Sequence, residues 1–281
     1  MENFAILREI AKGHKLIARN IILSHKTCDR IGKFLILVEG VDDIDIYKHF
    51  FKEDKVDLHD CHGCEVVDSV HKIIGLETGW SFLSILDSDF KRLEGLPVHP
   101  DNMFYTDSHD SEMLMVQYPK FVKEVMNKSL GCRTTEDLTA RIEYELQNVS
   151  MAKLFNMSFH YSYTFVGLDL ANLSPKSQIS LATVIQTMVP TQNSPKVFPG
   201  KKLSKFFKDN PNPPLDQITT GHDFITRWAS IVRHEYHKQY SDVDFRKIVC
   251  DAFTIKYVKK TTLYKDLEKW CNKNRYFIMM P

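Results

Sequence analysis

Acidic residues stand directly after two short apolar runs, where their carboxylates could support metal-dependent chemistry. Asp87 and Asp89 follow 82-FLSIL-86, and Glu39 follows 34-FLILV-38. If the second strand continues as far as its acids, Asp87 and Asp89 project to the same side, because side chains alternate along a strand. We expect Glu39 to converge with them if the two strands are neighbours.

A divalent cation would relieve the repulsion among these carboxylates, which are costly to bury without compensation. Mg²⁺ takes oxygen ligands and keeps waters that can be exchanged for a substrate phosphate. Asp43, four residues after Glu39, either reinforces this site or favours the N-terminus of the next helix. The predicted ligands for Mg²⁺ (or Mn²⁺) are Glu39, Asp43, Asp87 and Asp89. The alternative is that acids at strand ends are solvated loop residues and helix caps.

The elements around these acids predict the parallel sheet that the site requires. The two apolar runs are typical of strands buried on both faces, and further short strands are predicted near 56–58 and 102–106. Strands alternate with helices, which indicates an α/β fold with a mostly parallel sheet flanked by helices. Ligands of such sheets bind beyond the carboxyl ends of the strands. The predicted helices span residues 3–17, 43–52, 66–77, 110–127, 135–148, 221–240, 244–257 and 262–273.

The composition of the chain changes after residue 130. Residues 171–214 are rich in Ser, Pro, Asn and Lys and predict loops with short helices, between segments that predict longer helices. We therefore predict two domains, residues 1–130 with the sheet and the N-terminal helix, and residues 131–281 as a mainly α-helical C-terminal lobe.

The overall composition is that of an ordinary globular protein. Of 281 residues, 43% are hydrophobic and 26% charged, and the net charge of +1 means that any nucleic-acid-binding surface must be local. The N-terminus is amphipathic rather than a signal peptide, and no apolar run approaches the roughly 20 residues of a membrane span. With six cysteines and no sign of a disulfide framework, we expect a reduced, cytoplasmic location and no membrane contact.

The acidic pattern resembles the Toprim fold of topoisomerases, primases and OLD-type nucleases. In that fold one strand ends in Glu-Gly and a later strand in Asp-x-Asp, which Glu39-Gly40 and Asp87-Ser88-Asp89 match. Asp43 matches a second acid that OLD-type members place four residues after the glutamate. The resemblance implies a Toprim-like catalytic domain over residues 1–130.

Two further segments resemble a Toprim-related family of bacterial domains found beside ABC-type ATPases. They are 105-YTDSHDSEML-114 and 221-GHDFITRW-228. The family includes the AriB-type effectors of PARIS anti-phage defence, and by motif order the similarity covers most of the chain. It implies that Glu112, together with Asp110, completes the acidic cluster, and that Glu39 is the general acid or base.

The resemblance also implies an activity and its partners. The activity is metal-dependent cleavage of phosphodiester bonds by a toxic effector of abortive infection, with host RNA such as tRNA as substrate. The catalytic residues would be Glu39, Asp87, Asp89 and Glu112, and the active state a homodimer. The resemblance implies that an ABC-type ATPase holds the nuclease inactive. This sequence contains no G-x-x-x-x-G-K-[ST] motif, so the ATPase would be a separate polypeptide.

Basic residues at two places are candidates for contact with nucleic acid. Lys91 and Arg92 follow Asp89 and could face charge that develops on the phosphate. A second group of lysines lies around Phe206 and Phe207. It could bind the backbone and bases of a nucleic acid, or it could belong to a surface helix with an apolar face. Its lysines are Lys201, Lys202, Lys205 and Lys208.

Two other functions remain open from the sequence. A phosphatase of the HAD type would use Asp87 as its nucleophile, although the Gly-Thr that usually follows is missing from 87-DSDF-90. A non-catalytic protein could instead bind and regulate an ATPase, with 276-YFIMMP-281 as an apolar contact.

Overall fold

A parallel sheet of four strands organises the part of the chain that contains Glu39 and Asp87 in this computed structural model, which describes residues 2–27, 30–172, 177–191, 194–195 and 198–281. The strands are β1 (Phe34–Val38), β2 (Val56–Asp60), β3 (Phe82–Leu86) and β4 (Met103–Tyr105), in the order β2-β1-β3-β4. Every neighbouring pair is parallel. The predicted α/β class, with a parallel sheet flanked by helices, is confirmed at this level.

The burial of the strands follows from their sequences. The central strands β1 and β3 are buried along their whole length, which their continuous runs of five residues require. The edge strand β2 reads Val-Asp-Leu-His-Asp and is only partly buried. A sheet built in this order therefore brings the carboxyl ends of β2, β1 and β3 side by side.

Helices make up most of the rest of the described chain. None of those within the described residues is long and apolar enough to cross a membrane. In chain order they are α1 (Glu2–His25), α2 (Val41–Tyr47), α3 (Cys64–Thr78), α4 (Lys91–Glu94), α5 (Ser111–Val116), α6 (Pro119–Glu124), α7 (Leu138–Ser158), α8 (Leu181–Thr187), α9 (Gly200–Asp209), α10 (Leu215–Ile218), α11 (Gly221–Glu235), α12 (Asp242–Ala252), α13 (Ile255–Val258) and α14 (Thr262–Asn274).

The chain forms two compact units, each assembled from separate segments. The sheet unit comprises residues 1–87, 97–107 and 253–281, and the helical unit comprises residues 88–96 and 108–252. These boundaries do not match the predicted division at residue 130. The last segment returns to the sheet, where Trp270 of α14 makes edge contacts with Phe34 and Phe104 at 6.2 and 6.0 Å between ring centres.

The helical unit contains its own core and a short antiparallel pair, β5 (Thr164–Phe165) and β6 (Met188–Val189). A buried ion network lies between α7 and α11, where both carboxylate oxygens of Glu145 accept hydrogen bonds, one from Arg141 and one from Arg227. Such pairs are tolerated in a core because each charge is matched by its partner.

Several predicted helices differ in extent. The helix predicted over 110–127 is divided into α5, α6 and a π-helical turn at Val125–Ser129. Pro119 is the cause of the first break, since proline lacks an N–H and is favoured at the first position of a helix, where it begins α6. The helix predicted over 3–17 continues to His25, and that predicted over 221–240 ends at Glu235.

Candidate functional site

The carboxyl edge of the sheet brings Glu39 and Asp87 together. Glu39 directly follows β1 and Asp87 directly follows β3, and these strands are neighbours. The backbone N–H of Asp87 donates a hydrogen bond to Oε1 of Glu39, with 2.8 Å between the atoms. Both residues are half-buried. The side chain of Glu39 is thus held across the ends of two strands, with its carboxylate at the edge where α/β sheets bind ligands.

Asp43 serves the start of α2 in this structure. Its Oδ2 accepts a hydrogen bond of 2.8 Å from the backbone N–H of Gly40, the residue that precedes the helix. Asp43 is buried, and it occupies the third position of α2. This is the capping arrangement in which an acid near the N-terminus satisfies a backbone donor. The helix contact predicted for Asp43 is therefore formed, and its role as a Mg²⁺ ligand stays a prediction.

Asp60 is an acid of this edge that the sequence analysis did not single out. It is the last residue of β2 and lies opposite Val38 in the sheet register, so it stands beside the position that Glu39 follows. Its Oδ2 is 2.8 Å from Nδ1 of His62. The signal was available in principle, because the alternation of Val56, Leu58 and polar residues continues through Asp60.

A buried thiol reports the negative charge at this edge. Cys61 is fully buried, and burial raises the pKa of its thiol to about 12, with further contributions from the carboxylates of Asp60 and Glu39. The Cys61 thiol is therefore protonated at neutral pH, and a protonated thiol is a poor nucleophile.

The carboxylates of Glu39 and Asp87 have the donor chemistry that Mg²⁺ requires, and Mg²⁺ commonly binds through one or two carboxylates while retaining waters. Over the described parts of the chain, no three or more His, Cys, Asp and Glu side chains are arranged as a metal-binding group. Glu39 and Asp87 are the two predicted ligands that the structure places together at the carboxyl ends of β1 and β3, and the Mg²⁺ site itself stays a prediction.

Asp89 lies in the helical unit, and the condition on which its predicted orientation depended, that the strand continues as far as Asp89, is not met. β3 ends at Leu86, and Asp89 has a left-handed φ of 47°, so strand geometry does not relate its side chain to that of Asp87. Aspartate tolerates this conformation better than most residues. Its N–H donates to the carbonyl oxygen of His109 at 2.6 Å, and its Oδ2 accepts from Lys91 at 2.9 Å.

Lys91 and Arg92 both lie in α4, and each donates a hydrogen bond to a residue just before the helix. The Lys91 contact with Asp89 joins a predicted cation to a predicted metal ligand. Arg92 donates from Nε to the Ser88 hydroxyl at 3.0 Å. These contacts fix the loop after β3 rather than leaving both cations fully available to a phosphate.

Glu112 and Asp110 form the core of a second acidic group, in the helical unit. Asp110 caps α5, because its Oδ1 accepts from the N–H of Met113 at 2.7 Å and its Oδ2 from the N–H of Gly221 at 2.8 Å. Glu112 accepts a hydrogen bond of 2.5 Å from Nε of Arg246. Burial raises the pKa of the Glu112 carboxyl, and the Arg246 hydrogen bond opposes that effect.

The two sequence segments that carried the second resemblance meet at Gly221. A Cβ atom on Gly221 would lie 2.3 Å from Cβ of Glu112 and 2.4 Å from the backbone nitrogen of Met113. Only glycine fits this contact, because real Cβ atoms essentially never approach so closely. The start of α11 is therefore packed directly on the first turn of α5.

His109 and Arg246 are site residues that the sequence analysis missed. His109 is buried beside Phe90, with 4.8 Å between their ring centres, and neither of its ring nitrogens has a hydrogen-bond partner among the described residues. Its Nδ1 lies 3.3 Å from Oδ2 of Asp110 without hydrogen-bond alignment. Nothing in the local sequence indicated that Arg246 would reach Glu112.

The predicted basic group lies on α9, which divides into two faces. Leu203 is buried, and Phe206 and Phe207 pack against a cluster of Met151, Leu154 and Ile218. The two phenylalanines therefore stabilise the helical unit. Nζ of the exposed Lys202 lies 5.6 Å from the centre of the exposed Phe159 ring. The exposed face of α9 carries the four predicted lysines, Lys201, Lys202, Lys205 and Lys208.

The sequence matches no protein-family model, and no curated protein matches it.

Proposed function

We propose that the chain is a Mg²⁺-dependent nuclease of Toprim type that acts as a toxic effector in anti-phage defence. Its substrate is host RNA, with tRNA as the leading candidate. It acts as a homodimer and is held inactive by a separate ABC-type ATPase resembling AriA, as the resemblance to AriB implies.

The observation that supports the proposal most is the hydrogen bond from the Asp87 amide to the Glu39 carboxylate. It fixes a carboxylate at the carboxyl edge of a parallel sheet, beside the end of a second strand that also carries an acid. When bound there, Mg²⁺ would supply an activated water and neutralise charge on the phosphoryl group. A fixed carboxylate is suited to accept a proton from a nucleophile, because its position does not depend on side-chain rotation.

The other predicted acids, Asp87, Asp43 and Glu112, have different roles in this proposal. Asp87 holds the ion with Glu39, while Asp43 positions the start of α2 next to Glu39. The resemblance implies a catalytic role for Glu112; within the helical unit, burial raises the pKa of its carboxyl and the hydrogen bond from Arg246 opposes that effect.

Cleavage assays with the purified full-length chain test this proposal. We expect end-labelled tRNA to be cut in Mg²⁺ and left intact in EDTA, and Glu39→Gln to reduce the rate at least about 100-fold. The matched control is Glu53→Gln, which removes a carboxylate from an exposed loop residue of the same unit. In cells, induction of the wild-type chain should stop growth and induction of Glu39→Gln should not.

Two results would contradict the proposal. One is cleavage by Glu39→Gln at the wild-type rate. The other is a folded wild-type chain that cuts neither RNA nor DNA with Mg²⁺ or Mn²⁺, which would favour a non-catalytic partner of an ATPase instead.

A further inference from the structure

The amino ends of the strands border a cavity with a charge opposite to that of the carboxyl ends. The cavity measures about 860 Å³ and is lined by Phe34, which begins β1, and by Lys55 and Ser81, which precede β2 and β3. Small-molecule cavities in proteins are about 300–1,000 Å³. At about 3.3 Å per residue, the length of β1 places the cavity about 17 Å from the end that carries Glu39. It is therefore separate from the acidic edge described above.

Positive charge is concentrated around this cavity. Its described lining residues include four lysine and arginine side chains and no carboxylate. Lys33 donates from Nζ to a backbone oxygen at 3.2 Å, and Lys55 forms an exposed ion pair of 3.3 Å with Asp54. Exposed contacts of this kind are weak and exchange with a ligand at little cost. The four cationic residues are Lys26, Lys33, Lys55 and Arg275.

Aromatic side chains provide the second feature of the lining. Trp80 is held beside the ring of His25, with 4.9 Å between ring centres, and Lys26 lies 5.8 Å from the Trp80 ring centre. Tyr276 is stacked on Trp270 at 5.4 Å. Both lining rings, Trp80 and Tyr276, are half-buried, so each is fixed by its neighbours and still reaches the surface.

We infer that this cavity binds a nucleotide unit, an aromatic base with its phosphate. Trp80 and Tyr276 would contact the base, and Lys33, Lys55 and Arg275 would face the phosphate. A simple inorganic anion would leave the aromatic surface unused, and an apolar ligand would leave the cations unused. Base stacking on aromatic side chains beside a basic groove is the general mode of nucleotide recognition without base-specific hydrogen bonds.

The inference does not depend on the cleavage reaction proposed above. A free nucleotide and a nucleotide within single-stranded RNA carry the same chemistry, and the two sources are separated by the probe used. Binding is measured in EDTA on the full-length Glu39→Gln chain, so that no metal-dependent cleavage contributes to the signal.

Calorimetry with ATP, with a ten-residue oligoadenylate RNA and with a deca-glutamate peptide tests the inference. We expect ATP, the RNA or both to bind, and Trp80→Ala and Arg275→Gln each to weaken that binding by about tenfold. Trp80→Phe should restore most of it. Lys72→Gln is the matched control, because this exposed lysine of α3 is outside the lining and should bind as the parent chain does.

Each outcome decides the inference. Binding of ATP assigns a free nucleotide, and binding of the RNA alone assigns a segment of a nucleic acid. The inference is overturned if neither probe binds, if Trp80→Ala and Arg275→Gln both bind as tightly as the control, or if only the acidic peptide binds. Because Arg275 is exposed, its substitution tests the site even if Trp80→Ala reduces stability. A failure here leaves the tRNA cleavage result unaffected.

Discussion

Oε1 of Glu39 accepts a hydrogen bond from the backbone N–H of Asp87, 2.8 Å away and 48 residues further along the chain. The contact joins the ends of two neighbouring parallel strands and orients a carboxylate for which the resemblance implies a catalytic role. A side chain in this position has a structural role as well as a proposed chemical one. Different substitutions of Glu39 can therefore separate the two.

Glu39→Gln and Glu39→Ala should differ in stability but not in activity. Glutamine retains an oxygen that can accept from the Asp87 amide, whereas alanine leaves that donor without its partner, at a cost of about 1–2 kcal/mol. Both variants should lose cleavage, because neither carries a carboxylate. Urea unfolding gives the stability difference and the tRNA assay gives the rates. Equal stability of the two variants would show that the hydrogen bond contributes little to the fold.

Gly221→Ala should destabilise the helical unit by about 2–4 kcal/mol, because overpacking of a rigid contact forces backbone shifts. The added Cβ would lie 2.4 Å from the backbone nitrogen of Met113, which cannot move as a flexible side chain can. Gly75→Ala is the control, since its nearest neighbour is a Phe82 ring carbon at 3.8 Å. Within α3 that change should be neutral or stabilise by up to about 1 kcal/mol. A Gly221→Ala chain that melts at the wild-type temperature would contradict the packing described here.

Arg246→Met should destabilise the protein in a pH-dependent manner. Without Arg246, the buried Glu112 carboxylate loses its charged partner, which costs about 2–4 kcal/mol at neutral pH. The substitution also raises the pKa of Glu112 further above its unfolded value, so the variant gains protons on folding. The difference in the free energy of unfolding between the variant and the wild type should therefore shrink as the pH falls toward 5 and grow as the pH rises. Denaturant unfolding from pH 5 to 8 measures this stability difference. A difference that stays constant with pH would mean that titration of Glu112 is not its cause. In the control Glu112→Gln/Arg246→Met, the pH dependence should be absent.

The parts of the fold that could be predicted are those in which local pattern and burial agree. β1 is apolar at every position, β3 at every position except Ser84, and both strands are buried throughout, so their sequences predict both their limits and their central place in the sheet. The same runs placed Glu39 and Asp87 at one edge. The break at Pro119 could also have been predicted, since proline at that position favours the start of a new helix.

The remaining features depend on contacts between distant segments or on local geometry that pattern does not reveal. Arg246 reaches Glu112 across 134 residues, and its own neighbourhood reads as an ordinary amphipathic helix. β3 ends at Leu86 and Asp89 has a positive φ, so the strand alternation on which the predicted orientation of Asp89 rested does not reach it. The return of residues 253–281 to the sheet is likewise set by tertiary packing, with Trp270 and Tyr276 stacked at 5.4 Å beside the amino end of β1. Expectations about metal, RNA and partner remain predictions from the resemblance.

Glu143 of α7 should make the protein less stable as the pH rises through neutrality. Burial, followed by the nearby carboxylates of Asp216 and Asp137, raises the pKa of Glu143 to about 7 from an ordinary value of 4.5. The folded chain therefore binds more protons than the unfolded chain between those two values, and stability contributed by the protonated form is lost as the pH rises through the folded pKa. Glu143→Gln keeps the neutral amide at every pH, so it should be more stable than wild type at pH 8, by about 1–2 kcal/mol because the carboxyl is partly exposed to solvent. At pH 4 the two chains should be nearly equal. Urea unfolding across this range, with the exposed Glu53→Gln as control, measures the difference. A Glu143→Gln advantage that is the same at pH 4 and pH 8 would exclude titration of this carboxyl as its cause.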